Sequence, residues 1–293
     1  MELRHLRAFV AVADELHFGR AAARLHMAQP PLSQLIRRLE AELGLTLFDR
    51  NRRRVAISQV GAELLPAARD AVAAADRMAE RASEVADGRA GALTIGFVGS
   101  AAAGTLPQIV RRVRAETPRL RLTLRELTSA RQQAALRDGT IHAGLLREPP
   151  TAPRLRSAVI AQEPLLAALP AGHRLTARRQ VSIADLADEP WVLFPREEGP
   201  VFFDRVAGLC REAGFAPRIE QEAVYMPTIV NLVGAGLGVS LVPAAMRDIA
   251  PSAVEMRRVR DADASIPLVL AWRDEGASPA LRRFLALAGG YGE

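Results

Sequence analysis

The chain has 293 residues, enough for about two domains. With 49% hydrophobic and 25% charged residues it has the balance of a globular protein able to bury a real core, and no stretch approaches the ~20 apolar residues of a membrane span. The net charge is +6 and every basic residue is Arg, the mark of a GC-rich coding bias, so the distribution of charge says more about partners than its total. Cys210 stands alone and the N-terminus, MELRHLRAFVAVADEL, carries charges throughout. A lone cysteine excludes an intramolecular disulfide, no signal peptide is expected, and the expected compartment is the reducing cytoplasm.

Leu3, Leu6, Phe9, Val10, Ala13 and Leu16 repeat at helical spacing and predict a helix over 3–16. A second helix follows over 18–25, with Ala21, Ala22 and Leu25 inward, then a turn at His26-Met27-Ala28. A third runs over 29–43 and is ended by Gly44. Its Leu32, Leu35, Ile36, Leu39 and Leu43 form one apolar stripe that must face a core. Pro30, Ser33, Gln34 and Arg37 lie on the other side, a face with a hydroxyl, an amide, a guanidinium and no acid. Such groups reach phosphates and base edges in a DNA major groove. Pro30-Pro31 suits a helix start, which sets the positive end of the helix beside that face. An ordinary αα-hairpin with a solvated face would give the same helix pattern. Leu45, Leu47, Val55 and Ile57 alternate on either side of 51–53. They predict a short hairpin whose basic tip, Arg52, Arg53 and Arg54, suits phosphates or a narrow minor groove; a solvated turn is the plainer reading. Residues 1–60 hold ten Arg against six acids, a locally basic segment.

The segment LRHLRAFVAVADELHFGRAAARLHMAQPPLSQLIRRLEAELGLTLFDRNRRRVAIS resembles the winged helix-turn-helix of LysR-type transcriptional regulators. The match is collinear over the whole segment: F-x-x-V-A-x-x-x-x-F-x-x-A-A-x-x-L, then Q-P-x-L-S-x-x-I-x-x-L-E-x-x-L-G-x-x-L-F-x-R. The resemblance implies that Gln29, Pro30, Ser33, Gln34 and Arg37 enter the major groove of a double-stranded operator and that Arg52–Arg54 form the wing. Many relatives carry Arg where this chain has Gln34; Gln is suited to reading adenine.

Ser58 is placed to N-cap a further helix. Val60, Leu64, Ala67, Ala71, Ala74, Met78 and Val85 keep a 4-3 spacing broken by Arg81, a short heptad stripe made mostly of Ala, and Pro66 is expected to bend the helix. The alternative is a surface helix packed on its own domain. The resemblance implies an antiparallel homodimer through this helix, and a dimer of dimers, setting two DNA modules on a two-fold operator. Asp87-Gly88-Arg89-Ala90-Gly91 reads as a hinge.

From 92 onward strands and helices alternate, which predicts an α/β domain. Strands are expected at 93–98, 120–124, 141–146, EPLLAALP, PWVLF, PRIEQEAV, GLGVSLVP and IPLVLAW, with helices over 106–114, from 129, over 202–213, over 226–233 and at PALRRFLALAG. The order resembles the effector domain of the same family, a two-lobed type-2 periplasmic-binding-protein fold. The whole chain is then α/β with an N-terminal winged helix-turn-helix: 1–58 the DNA-binding domain, 59–91 the linker helix and hinge, and 92–293 the effector domain. Lobe I would hold 92–163 and 268–293, and lobe II 164–267. IGFVGS, the LLR ending at Arg147 and NLVGAGLGVSLVP look most like the branch controlling aromatic-compound catabolism. The expected effector is an aromatic or other small carboxylate. Ser100 and Ser129 sit where a strand gives way to a helix, so hydroxyl and backbone N–H groups could hold that carboxylate. Arg147 could pair with it, Phe202 and Phe203 could wall it, and Thr228 lies at a corresponding helix start. Capping and core packing are the ordinary roles of such residues.

GAGLG at 234–238 lacks the dinucleotide spacing and has the helix before the strand, the reverse of what that fingerprint needs. The five His are scattered and no nucleophile elbow occurs, so no cofactor, metal or catalytic constellation is expected. A solute-binding protein and an enzyme on the same two-lobed fold are the competing readings. The first needs a signal peptide and no basic helix-turn-helix; the second needs clustered catalytic groups.

Overall fold

A computed structural model describes residues 1–51, 54–260 and 264–289. The chain forms two units, Met1–Ser83 and Glu84–Glu293. The first contains α1 (Leu3–Glu15), α2 (Phe18–Arg24), α3 (Gln29–Leu43), β1 (Phe48–Asn51), β2 (Arg54–Ile57) and most of α4 (Gln59–Ala86). Phe9, Val12, Leu32, Ile36, Leu39 and Leu47 are buried together, so the 3-4 spacing in α1 and α3 does pack inward. Phe48 meets Phe9 and Phe18 edge-on, ring centroids 5.6 and 6.2 Å apart, a favoured aromatic geometry. Leu43 departs from the expected stripe and is exposed, because it is the last residue before the left-handed Gly44 (φ 68°) turns the chain away. His26 is itself left-handed (φ 52°), which makes the α2–α3 turn tight.

The antiparallel pair β1–β2 is fastened from both sides. Glu40 of α3 accepts the N–H groups of Leu47 and Phe48 at 2.9 and 3.3 Å. Ser58 Oγ accepts the Gly61 N–H at 2.9 Å, capping α4, and donates to the Leu47 neighbour Thr46 at its carbonyl, 2.7 Å. Any Cβ at Gly61 would lie 2.4 Å from the Leu47 carbonyl oxygen, so only glycine lets α4 start here. α4 continues through Pro66 without a break. Arg69 on α4 reaches Asp14 on α1 at 2.5 Å, and Arg24 on α2 reaches the same carboxylate at 3.1 Å. Arg69 first, then Arg24, holds the Asp14 carboxyl below the usual range.

The second unit contains, in chain order, β3 (Ala90–Phe97), α5 (Gly99–Ala102), α6 (Thr105–Glu116), β4 (Arg119–Glu126), α7 (Ser129–Asp138), β5 (Ala143–Leu146), β6 (Leu155–Pro170) and β7 (Gln180–Val181). There follow β8 (Pro190–Leu193), α8 (Pro200–Glu212), β9 (Arg218–Glu222), α9 (Met226–Gly234), β10 (Ser240–Pro243), β11 (Val254–Val259), β12 (Ser265–Arg273) and α10 (Pro279–Leu287). The main sheet runs β4-β3-β5-β12-β6-β11-β7, with β10 also on β6. β3 pairs in parallel with β4 and β5, and helices cover both faces of that half: α6 and α10 over one core, α7 over another. Sequence reading places a strand only at EPLLAALP; the observed β6 begins eight residues earlier. Its first half pairs with β12 and its second half with β10 and β11. This long strand, with β12 beside it, crosses between two lobes. Arg156, Ser157 and Gln162 hide it from a hydrophobicity reading, since they lie on its exposed side. β11 was likewise missed, its Arg and Glu alternating with buried Val254 and Met256.

Candidate functional sites

In the first unit the outer face of α3 carries Gln29, Pro30, Gln34 and Arg37, all exposed, with Ser33 half-buried beside them. The N-cap is Ala28, with no side-chain cap, and prolines occupy the first turn. Pro30 and Pro31 remove two of the amide donors that a helix start would otherwise leave open. Among the described residues five other arginines of this unit are tied to acids: Arg4 to Glu2, Arg20 to Glu15, Arg24 to Asp14, Arg69 to Asp14, and Arg7 to Asp76. Among the described residues Arg37 forms no ion pair. The result is a donor-rich, acid-free face on a rigid helix whose opposite side is fully buried at Leu32, Ile36 and Leu39. Arg54 opens β2; Arg52 and Arg53 lie outside the described residues.

In the second unit a cleft lies at the C-terminal ends of the parallel strands β3 and β4 and just past β5, where ligands of open α/β sheets bind. It is lined by Ser100, Ser129 and Arg147 from one lobe and by Phe194, Phe202 and Tyr225 from the other, among others. Arg147 is its centre and is buried. Its Nε and Nη2 donate to Ser100 Oγ at 3.1 and 2.8 Å, Nη2 also donates to Glu163 Oε2 on β6 at 2.7 Å, and its backbone N–H donates to Ser129 Oγ at 3.2 Å. Both serine oxygens therefore act as acceptors for Arg147, and each hydroxyl proton is left to donate elsewhere. The Arg147 Nη1 is fully buried and has no partner. Burial pulls the guanidinium below its ordinary value, and Glu163 offsets part of that pull. Three donors without partners of their own, one of them cationic, thus belong to residues that line one cleft.

Ser129 is held in place by a residue that sequence reading missed. Gln132 of α7 is buried, and its Nε2 donates to the carbonyls of Leu127 and Leu145, both at 3.0 Å. This ties the start of α7 to the ends of β4 and β5. A Cβ at Gly144 would lie 2.4 Å from Gln132 Oε1, so a glycine beneath is required. Across the cleft, Glu198 accepts from Thr128 Oγ1 at 2.6 Å and from Arg131 at 2.8 Å, and its carbonyl takes the Ala130 N–H. An acid from the second lobe therefore sits on the N-terminus of α7, where the helix dipole favours it. Thr128, then Arg131, holds the Glu198 carboxyl below its usual range.

Of the six candidate effector residues, the fold brings Ser100, Ser129, Arg147 and Phe202 together. Phe203 follows Phe202 on α8 and is turned about 100° away, packing against the core of its own lobe. Thr228 lies on the exposed side of α9, and Met226 is the residue that this helix contributes to the cleft. Arg147 differs from expectation in one respect: an acid of its own chain, Glu163, already meets it.

A donor-rich helix face on one unit and a two-lobed ligand cleft on the other define a ligand-responsive DNA-binding regulator. Residues 3–62 match the model of the bacterial regulatory helix-turn-helix protein, lysR family, and residues 86–291 match the LysR substrate binding domain. The chain is 39% identical over 288 residues to the transcriptional regulator AlsR of Bacillus subtilis, covering 98% of this chain and 95% of that protein. It is 42% identical over 293 residues to IlvR of Caulobacter vibrioides, covering 98% and 97%. It also resembles the crystal structure of CbnR, a LysR family transcriptional regulator, with a TM-score of 0.90, 32% identity, and coverage of 98% of this chain and 100% of that one. Full-length CbnR complexed with its target DNA matches with a TM-score of 0.82 at 31% identity, covering 99% of each chain. This chain belongs to the LysR family: it is a DNA-binding transcriptional regulator with a substrate-binding domain, and not an enzyme. Among the described residues no helix is long and apolar enough to cross a membrane.

Proposed function

We propose that Gln29, Pro30, Ser33, Gln34 and Arg37 enter the operator's major groove, with Arg52–Arg54 as wing, and that a small carboxylate in the cleft controls the outcome in the cytoplasm. The working division is 1–58 for DNA, 59–91 for the dimer-forming linker helix and hinge, and 92–293 for the effector. The observation that carries the effector site is the buried, partnerless Nη1 of Arg147 beside two serine hydroxyls free to donate. An unpaired buried guanidinium N–H is costly, and a carboxylate oxygen supplies the missing acceptor. Phe202 walls the site, Phe203 packs behind it in the core of its own lobe, and Thr228 stays outside the lining.

Placement in the branch controlling aromatic-compound catabolism rests on IGFVGS, the LLR before Glu148 and NLVGAGLGVSLVP. The cleft is nearly closed here, with room for a water molecule or two. Ligand entry therefore requires the lobes to part, and binding shifts the balance between their positions. Footprinting with Ser100→Ala tests this reading: operator protection is retained and its effector dependence is blunted. A normal dose–response would remove Ser100 from the site. The double variant Ser33→Ala/Arg37→Ala is expected to lose operator binding with its circular dichroism unchanged; unchanged gel-shift affinity would contradict the assigned DNA face.

A further inference from the structure

The ionisable groups around the cleft do not balance. Arg147 is matched by Glu163 at 2.7 Å, and Glu198 by Arg131 at 2.8 Å. Glu148, next to Arg147 and buried, is held only by uncharged donors, Gln133 Nε2 at 2.7 Å and the Val201 N–H at 3.3 Å. Glu126, the last residue of β4, lines the cleft, and among the described residues it forms no hydrogen bond or ion pair. Its carboxylate is folded over Gly99: a Cβ there would lie 2.5 Å from Oε1 and 3.8 Å from Pro227 of the opposite lobe. Glu148 lies outside the cleft lining, so Glu126 is the carboxylate in the cleft that is left without a cation. A ligand that brings only negative charge would sit beside that unpaired carboxylate, which repels it.

A ligand with both a carboxylate and a cationic donor satisfies both ends and adds no net charge. The two anchors are close together. Arg147 sits on Ser100 and Glu126 on Gly99, consecutive residues about 3.8 Å apart at Cα. That proximity suits charged groups on one carbon better than groups at opposite ends of a long chain. The rest of the lining is largely apolar, Val98, Leu127, Phe194, Phe202, Val224 and Met226, which suits an aliphatic side chain. Resting on the carboxylate site argued above, we propose that the effector is a small zwitterion, an α-amino acid with a short aliphatic side chain. Its carboxylate meets Arg147, Ser100 and Ser129, and its ammonium meets Glu126.

The test is isothermal titration of the full chain with three matched probes: L-2-aminobutyrate, butyrate and propylamine. The amino acid is expected to bind about tenfold or more tighter than either fragment, the worth of one charge-assisted hydrogen bond. Glu126 is exposed, so Glu126→Gln keeps the fold, and it is expected to erase most of the advantage over butyrate. Butyrate binding as tightly as 2-aminobutyrate would overturn the zwitterion, a preference that survives in Glu126→Gln would overturn Glu126 as the ammonium's partner, and either result leaves the carboxylate site standing. Ser100→Ala then separates the two readings, because loss of butyrate binding supports the carboxylate site alone. Failure of all three probes to bind would overturn the amino-acid assignment outright.

Discussion

At the scale of single residues, the Arg147–Glu163 pair joins stability to recognition. Both side chains are largely buried, 5% and 13% exposed. Removing one member of such a pair strands the other, so Arg147→Ala is expected to lower the stability of the second unit by about 3–5 kcal/mol. The double replacement Arg147→Met/Glu163→Leu keeps the volume and removes both charges, and it should recover most of that loss. Urea denaturation checks the stability, and footprinting checks the response. A double variant that folds and still answers the effector would show that Arg147 is structural only. Cys210 presents the opposite case. It is buried in the core of the second lobe, and desolvation pushes its thiol up to about 12. At pH 8 about one thiol in ten thousand is then ionised, and the thiolate is the reactive form. Native protein is expected to leave an aromatic disulfide reagent unreacted until denaturant is added; prompt reaction would place the thiol elsewhere.

At the scale of elements, the join between the Glu198 loop and the start of α7 is the contact that effector entry must disturb. The Glu198 carboxyl is depressed by Thr128 and Arg131, so it binds protons less readily when the lobes are joined than when they are apart. Its contribution to closure is therefore complete above the ordinary glutamate range and lost as pH falls through the lowered value. The amide resonance of Arg131 should titrate with a midpoint below that of an ordinary glutamate. A midpoint at or above it would mean that the contact is not made. On α4, Ala71 and Ala74 of the heptad stripe are exposed in the single chain, and Met78 is 74% and Val85 52% exposed. Small side chains allow close helix approach, and an apolar stripe left open needs a cover. Ala74→Arg is expected to shift the chain toward monomer in sedimentation while its helix content stays constant.

At the scale of the whole molecule, one chain joins a charge-driven binding surface to a cleft that reads a small ligand. Operator affinity should fall linearly with the logarithm of salt concentration, and Arg37→Ala should reduce that slope by about one unit per module. A slope indifferent to Arg37 would take that side chain off the phosphates and leave it to base edges. Much of the first unit could be read from the chain because its determinants are local: 3-4 apolar spacing, a glycine stop after Leu43, a cap at Ser58. The cleft was legible only in part. Ser100, Ser129, Arg147 and Phe202 stand at element ends, a position that pattern can reveal. Glu126, Glu163 and Gln132 carry no pattern, since a charged residue ending a strand and a Gln inside a helix read as solvent-facing.

What the order of residues determined by itself is the DNA-contacting module and the alternation of strands and helices behind it. Helical amphipathicity, caps and turns act within a few positions of one another. What tertiary structure alone decided is which charges meet. β6 crosses from one lobe to the other and carries Glu163 to Arg147, and the lobes bring the Glu198 loop onto α7. These partners lie 16 to 70 residues apart in the chain. Pairing at that distance depends on strand register and burial, which no local pattern records.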